Sequence, residues 1–246
     1  MSLCPMEMFA AILRDKYAAK DAEDGKRTYH IAIMPCTAKK MEAAREEFKH
    51  DGRPDVDLVL TTREIVDMIN ESGIRLEELD MEAPDLPFGM GSGSANIYGV
   101  TGGVAEAVVR HCVPDKSRNA LREIAELGLR GDEARKEVTV HLGDQELKIA
   151  VVHGLVNARK LLKEMDEGKA FFHLVEVMTC HGGCVGGAGQ PDGLNAVKIR
   201  RGEGLHAIDD ASLVKRAERN PVVNALLNEM GEHKAHELLH VSYVKD

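Results

Sequence analysis

The chain has 246 residues, enough for one large domain or two small lobes. Its 43% hydrophobic and 30% charged residues are typical of a soluble globular protein, and its net charge of −9, with no block of basic residues, argues against nucleic-acid binding. No apolar run approaches the ~20 residues that a membrane span requires. Five cysteines, an odd number in a chain of this length, argue against a secreted disulfide framework and favour a reducing compartment.

The first third of the chain predicts helices and strands in alternation. Residues 5–20 are expected to form a helix with Pro5 at an early position. Thr61 and Glu64 have the spacing of a capping box, which predicts a helix over 62–72. The other predicted elements in this part are strand 29–34, helix 40–48 and strand 56–60.

The remaining two thirds continue the alternation after a Pro-, Gly- and Ser-rich segment, 81–103, whose length favours a functional role. Gly143-Asp144 predicts a hairpin turn between two strands. The predicted helices are 104–112, 117–127, 154–168, 211–220, 222–231 and 233–240, and the predicted strands are 137–142, 146–153 and 171–178. Alternating strands and helices predict the α/β class.

Two segments place a cysteine directly after a hydrophobic strand. Cys36 follows IAIMP, and Cys180 follows HLVEVMT, with Cys184 four residues later. Ligands in α/β proteins gather at the carboxyl ends of strands. These three thiols are therefore candidates for one common site.

The loop TCHGGCVGGAGQ admits several interpretations. Its glycines would let the backbone approach a bulky inorganic cluster, and would free N–H groups to donate to bridging sulfides. Zinc held with His173 or His181 remains an alternative, as does a purely structural loop with idle cysteines. The pair Lys39-Lys40 is similarly open, either as a solvated helix start or with Lys39 turned inward as a donor to an anionic cofactor. Cys112 is expected to be a core thiol.

The segments MPCTAKKMEAAREEF and EVMTCHGGCVGGAGQP resemble the second and third cysteine segments of the catalytic domain of [FeFe]-hydrogenases. The similarity continues in order through LTTREIVDMINESGI, LPFGMGSGSANIYGVTGGVAEAVVR, KIAVVHGLVNARKLL and HKAHELLH, and covers residues 4–243. The resemblance implies two lobes of mixed sheets and helices around a cluster cleft. It also implies reversible conversion of protons and electrons to H₂.

The same resemblance implies an H-cluster, in which a [4Fe–4S] cube on four cysteines is joined to a diiron subcluster. It implies the following roles: Cys36, Cys180 and Cys184 as cube ligands, with Cys184 bridging to the diiron unit; Lys39 as a donor to a cyanide; Met34 and Met178 packed beside the diiron unit; Glu42 on a proton route; and Pro5 and Phe88 bordering the site. The implied partners are H₂, protons and a ferredoxin-like electron carrier that acts through N-terminal domains.

Several features depart from the family pattern. The first cysteine segment, which supplies the fourth cube ligand, is absent, so residues 4–246 are expected to be the C-terminal part of a catalytic domain, inactive by itself, with 1–3 a vector-derived remnant. Cys4, Ala38 and His181 stand where Ser, Ser and Pro are usual. These substitutions leave open a hydrogenase-like sensor or a cluster-assembly protein. The expected compartment is the cytoplasm, with the periplasm as an alternative.

Overall fold

The computed structural model describes residues 3–50, 52–86, 88–89, 91–131, 133–143 and 145–241. The chain divides into two compact units. Unit 1 comprises Met1–Ala83, Gly189–Pro191 and Ala225–Asp246, and unit 2 comprises Pro84–Ala188 and Asp192–Asn224.

The described residues form helices and strands throughout both units. The helices are α1 Pro5–Asp24, α2 Ala38–Ala43, α3 Thr62–Glu71, α4 Gly93–Asn96, α5 Gly103–Cys112, α6 Arg118–Glu126, α7 Leu155–Asp166, α8 Asn195–Ala211, α9 Pro221–Met230 and α10 Glu232–Leu239. The strands are β1 Ile31–Met34, β2 Lys49–His50, β3 Arg53–Pro54, β4 Leu58–Thr61, β5 Arg135–Leu142, β6 Gln145–His153 and β7 Leu174–Met178.

Unit 1 contains a parallel pair of strands that end side by side. β1 pairs with β4, and Met34 lies opposite Thr61 at the carboxyl ends. Thr61 then caps α3: its hydroxyl accepts from the Glu64 N–H while the Glu64 carboxylate accepts from the Thr61 N–H, which confirms the predicted capping box. The end of this strand pair is therefore held by a helix that begins at the next residue.

Unit 2 is built on a mixed sheet of order β5-β6-β7. β5 and β6 form an antiparallel hairpin, whereas β6 and β7 are parallel, with His153 opposite Met178 at their carboxyl ends. Four consecutive apolar residues of β6, 149–152, are fully buried, as expected for a central strand covered on both faces. The α/β class with mixed sheets is confirmed.

A buried ion-pair network joins α5 to α8 in unit 2. Arg110 pairs with Glu106 at 2.7 Å and with Asp209 at 2.6 Å, and Arg130 pairs with Glu106 at 2.6 Å. Because two cations face two carboxylates, ion pairing offsets most of the free-energy cost of burying these charges.

The predicted helix 211–220 is wrong. Residues 211–220 hold only a short 3₁₀ turn, Ala217–Arg219, and the helix of this region is α8, which ends at Ala211. α8 has apolar residues scattered around its circumference and two internal glycines, Gly202 and Gly204, so no amphipathic pattern marks it as a helix. No helix in the described part of the chain is long and apolar enough to cross a membrane.

Candidate functional site

The first cysteine segment lies at the end of the parallel strand pair in unit 1. Met34 is the last residue of β1, and Cys36 is a free, half-buried thiol between that strand and α2. Gly189 lies against this turn, because its N–H donates to the Pro35 carbonyl at 3.0 Å and a Cβ at Gly189 would lie 2.9 Å from the Pro35 carbonyl carbon. The backbone around Cys36 is therefore tightly fixed.

The structure distinguishes the two adjacent lysines of this segment. Lys39 is half-buried and its ammonium contacts the Glu42 carboxylate one turn later on α2. Lys40 is more exposed and pairs with Glu64 at 2.6 Å. Burial acts to lower the pKa of Lys39, but its hydrogen bonds with Glu42 and Cys4 outweigh it and hold that pKa above its usual value. Lys39 therefore carries a positive charge that is turned into unit 1.

Cys4, the N-cap of α1, and Glu7, within α1, form a cluster with Lys39 and Glu42 in unit 1 that sequence patterns did not predict. Cys4 hydrogen-bonds with Glu42 and Lys39, and burial together with Glu42 raises the pKa of its thiol. Glu7 is fully buried, and neither carboxylate oxygen has a hydrogen-bond partner among the described residues. Burial, with Glu42 and Asp55 nearby, raises the pKa of Glu7 to about 7. The available signal was a glutamate inside the apolar face of α1, between Met6 and Ala10.

The second cysteine segment lies at the end of β7 in unit 2. Met178 ends the strand, and its carbonyl accepts from the Gly154 N–H at 2.8 Å. Cys180 and Cys184 are both half-buried, and Cys184 begins a short 3₁₀ turn, Cys184–Gly186. Unit 2 thus brings three of the predicted residues, Met178, Cys180 and Cys184, into one strand-end loop.

The protein's own backbone accounts for part of the glycine content of this loop. Gly183 has φ +88°, and a Cβ there would lie 2.9 Å from the Gly99 oxygen, the Thr101 nitrogen and the Val100 carbonyl carbon. At Gly186 a Cβ would lie 2.3 Å from the His181 oxygen. The loop therefore needs glycine to fold against itself and against residues 99–101, independently of any cluster.

A pair of histidines connects the two parallel strand ends of unit 2. His153, the last residue of β6, is buried, and its Nδ1 lies 2.8 Å from Nδ1 of His181. The side chain of Asn157 also donates to the His153 carbonyl at 2.9 Å. His181 therefore ties the cysteine loop to β6 through a side-chain hydrogen bond that proline could not form.

A buried carboxylate fixes β7 to the start of α5. Glu176 accepts from the N–H groups of Gly102 and Ala105, each at 2.7 Å. These N–H groups belong to the first turn of a helix, which attracts negative charge. Burial raises the pKa of Glu176 despite these bonds. Because the carboxylate accepts from N–H groups at the start of α5, it caps that helix.

The other predicted residues are placed at the edges of these regions. Pro5 is the exposed first residue of α1, and Phe88 is half-buried in unit 2. Cys112 is exposed at the end of α5, so the prediction of a core thiol is wrong. No three His, Cys, Asp or Glu side chains within the described ranges are grouped closely enough to hold a metal ion.

Comparison with known families gives matches along nearly the whole chain. Residues 1–188 match the family model "Iron only hydrogenase large subunit, C-terminal domain", and residues 195–246 match "Iron hydrogenase small subunit". Among solved structures, a variant of the [FeFe]-hydrogenase HydA1 from Chlamydomonas reinhardtii is 32% identical with a TM-score of 0.72, covering 98% of this chain and 69% of that one.

Similar curated proteins fall into two functional groups. The NADP-reducing hydrogenase subunit HndD of Solidesulfovibrio fructosivorans is 39% identical over 98% of this chain and 42% of its own length. The cytosolic iron-sulfur assembly component 3 of Bos taurus is 29% identical over 97% of this chain and 52% of its own length. The chain thus spans about half the length of the curated relatives that it matches.

Proposed function

Because the chain belongs to the iron-only hydrogenase large subunit family, C-terminal domain, we propose that it is part of an [FeFe]-hydrogenase catalysing 2H⁺ + 2e⁻ ⇌ H₂. The proposed electron partner is a ferredoxin or a similar carrier that acts through other parts of the parent protein. The proposed compartment is the cytoplasm.

The observation that carries the proposal is the environment of Lys39. A lysine three residues after a strand-end cysteine is turned into unit 1 and held charged by Glu42, whereas the adjacent Lys40 is paired near the surface. A half-buried ammonium is a strong hydrogen-bond donor to an anionic ligand. The family's cofactor carries such ligands, and a purely structural helix start would not require a half-buried cation.

The donor set agrees in kind with the cofactor that the family implies. Thiolates are the ligands of iron–sulfur clusters, and Cys36, Cys180 and Cys184 are half-buried cysteines that follow strand ends. They amount to three of the four ligands that a [4Fe–4S] cube requires, and Cys4 is held in hydrogen bonds with Glu42 and Lys39. We propose these three cysteines as cluster ligands. The fourth ligand of the cube would come from a residue that belongs to neither of the two cysteine segments.

When bound, the H-cluster would supply electrons and the place where protons are reduced. Lys39 would orient and hold its anionic ligands by donating N–H bonds. Met34 and Met178, each the last residue of its strand, would exclude water with side chains that adapt to an irregular surface. Pro5 and Phe88 are proposed to border the same site.

Proton movement is assigned to the hydrogen-bonded chain in unit 1. The Cys4 thiol bonds to Glu42, and the Lys39 ammonium bonds to both. A carboxylate passes a proton only between groups already within hydrogen-bond reach, and Glu42 lies between two such groups. We therefore propose Glu42 as the group that accepts and releases protons in this segment.

The test uses the full-length parent protein, matured with its cofactor. We expect H₂ evolution from a reduced viologen dye and infrared bands from bound CO and CN⁻. Cys184→Ser should abolish both, whereas Cys112→Ser, a matched change at an exposed cysteine of unit 2, should leave both intact. Absence of turnover and of the infrared bands in the unmodified parent would overturn the proposal.

A second candidate function is cluster assembly. It is favoured by the assembly-component relatives, which match 97% of the chain, and by Cys4, Ala38 and His181. It predicts a parent protein that binds an iron–sulfur cluster with no CO or CN⁻ bands. The higher identity to HndD and the presence of Met34, Lys39 and Met178 favour the hydrogenase.

The 246-residue chain by itself gives a separate prediction. With three motif ligands, we expect it to bind less than a stable four-iron cluster after reconstitution with iron and sulfide, and to evolve no H₂. Iron and sulfide analysis after gel filtration measures this. Four irons and four sulfides retained per chain would contradict the prediction that the three motif cysteines leave the cube one ligand short.

A further inference from the structure

Unit 2 contains a cavity that the proposed function does not use. Its volume is about 340 Å³, the size of a small-molecule site. Val100, Val185 and Ile199 give it apolar walls. It is lined by the turn at residues 100–101, the loop at 130–131, the loop at 182–185 and one face of α8.

The cavity lies at the seam between the two parts of the chain that match different family models. The turns and loops that line it belong to residues 1–188, and α8 belongs to residues 195–246. Across this seam the Arg201 guanidinium donates to the Val185 carbonyl at 3.2 Å. A molecule in the cavity would therefore contact both parts at once, and ligand sites occur preferentially at such junctions.

Two buried polar atoms at the cavity lack partners among the described residues. Thr101 is 3% exposed, and its hydroxyl has no hydrogen-bond partner in the part of the chain that the structure describes. His206 lines the same cavity with a buried, unpartnered Nδ1. Buried polar atoms are nearly always hydrogen-bonded, so two unpartnered ones beside one cavity point to a ligand that bonds to them.

Most of the polar groups around the cavity are donors. Lys198 forms no ion pair with the described residues, whereas the guanidinium of Arg130 already pairs with Glu106 and Asp209. Burial and the charge of Arg130 lower the pKa of His206, which favours its neutral imidazole. Among the described residues that line the cavity, Glu203 is the one carboxylate, and it is exposed.

We propose that this cavity binds a small carboxylate with an aliphatic or aromatic body. The apolar walls hold the body, the hydroxyl of Thr101 and the ammonium of Lys198 donate to the carboxylate, and the site operates whether or not the protein is a hydrogenase. A ligand seated there would also stabilise the contact between the two family segments, because it binds only when both walls are in place.

The experiment uses the 246-residue chain and octanoate as the probe. Calorimetric titration should show one saturable site with a Kd on the order of 1 mM, a strength that a ligand of this size in a partly polar cavity can reach. Octanoate should also raise the unfolding temperature. Octylamine, which has the same chain and the opposite charge, should not saturate.

Two variants test the polar contacts against one control. Lys198→Met should weaken octanoate binding by at least about fivefold, because it removes a charge-assisted bond. Thr101→Val should weaken binding without loss of stability, since it replaces an unpartnered buried hydroxyl by a methyl group of the same shape. Lys160→Met, on the exposed face of α7, should bind octanoate as the unmodified chain does.

Three results would overturn the proposal. They are the absence of saturable octanoate binding, equal binding of octylamine, and equal octanoate affinity in all variants, which would indicate detergent-like adsorption. Circular dichroism of each variant excludes unfolding as the cause of lost binding.

Discussion

The two cysteine segments begin alike and then differ in how they are held. In unit 1 a strand ends at Met34 and Cys36 follows, and in unit 2 a strand ends at Met178 and Cys180 follows. After Cys36 the chain enters α2, whose Lys39 and Glu42 form a half-buried charged pair. After Cys180 the chain enters a glycine-rich turn that packs against the backbone of residues 99–101.

The same local pattern, a strand followed by a cysteine, is therefore held by different interactions in the two units. In unit 1 the segment after the cysteine takes part in a cluster of ionisable side chains, namely Cys4, Glu7, Lys39 and Glu42. Unit 2 gives its cysteines a loop whose shape is fixed by close backbone contacts and a histidine pair. Charge dominates the first segment and steric fit dominates the second, so each should respond to a different kind of substitution.

The largest expected effect tests the steric segment. Gly183→Ala should destabilise the chain by roughly 3 kcal/mol or more, because φ is +88° and the new Cβ would lie 2.9 Å from three backbone atoms. Gly168→Ala is the control, since its φ is +69° with no atom within 4 Å, and should cost only about 1 kcal/mol. Urea unfolding measures both. An equal loss of unfolding free energy in the two variants would show that the close backbone contacts at Gly183 do not require glycine.

The next effect tests the charged segment through pH. The folded-state pKa of Glu7 is raised to about 7 from 4.5, so the folded state binds more protons than the unfolded state between these values, and stability falls as pH rises through this window. Glu7→Gln should therefore raise the free energy of unfolding by roughly 1–3 kcal/mol at pH 8. Below pH 4.5 it should change little.

The control for Glu7 is Glu23→Gln on the exposed end of the same helix, which should alter stability equally little at both pH values. Urea unfolding at pH 4 and pH 8 provides the comparison. A stabilisation by Glu7→Gln of the same size at both pH values would mean that the carboxylate is not forced to ionise in a buried site.

The smallest effect compares the two adjacent lysines. Lys39→Met leaves Glu42 half-buried without its cation and should cost about 1 kcal/mol, whereas Lys40→Met removes an exposed pair and should cost a few tenths, on the order of 0.3 kcal/mol. In the matured parent, Lys39→Met should lower H₂ turnover at least tenfold and Lys40→Met should not. Equal turnover in the two variants would contradict the assignment of Lys39.

The local elements of the fold could be predicted well from sequence. The start of α1 at Pro5 and the Thr61–Glu64 capping box depend on neighbouring residues, so short-range patterns sufficed. α8 could not be found in this way, because its glycines and dispersed apolar residues carry no periodic signal and its position depends on packing against residues 97–100 and on the Arg110–Asp209 pair.

The candidate site likewise has some features that local sequence patterns predict and others that depend on tertiary contacts. The sequence by itself determined the three cysteines at strand ends, the lysine pair and the glycine loop, because strand–cysteine spacing and glycine content are local properties. Only the tertiary structure decided that Lys39 turns inward while Lys40 does not, and that Gly183 is required by backbone contacts with residues 99–101. It also decided that the Glu7 carboxylate is buried with no hydrogen-bond partner among the described residues. Burial, charge pairing and close approach depend on residues far apart in the chain, and no local pattern encodes them.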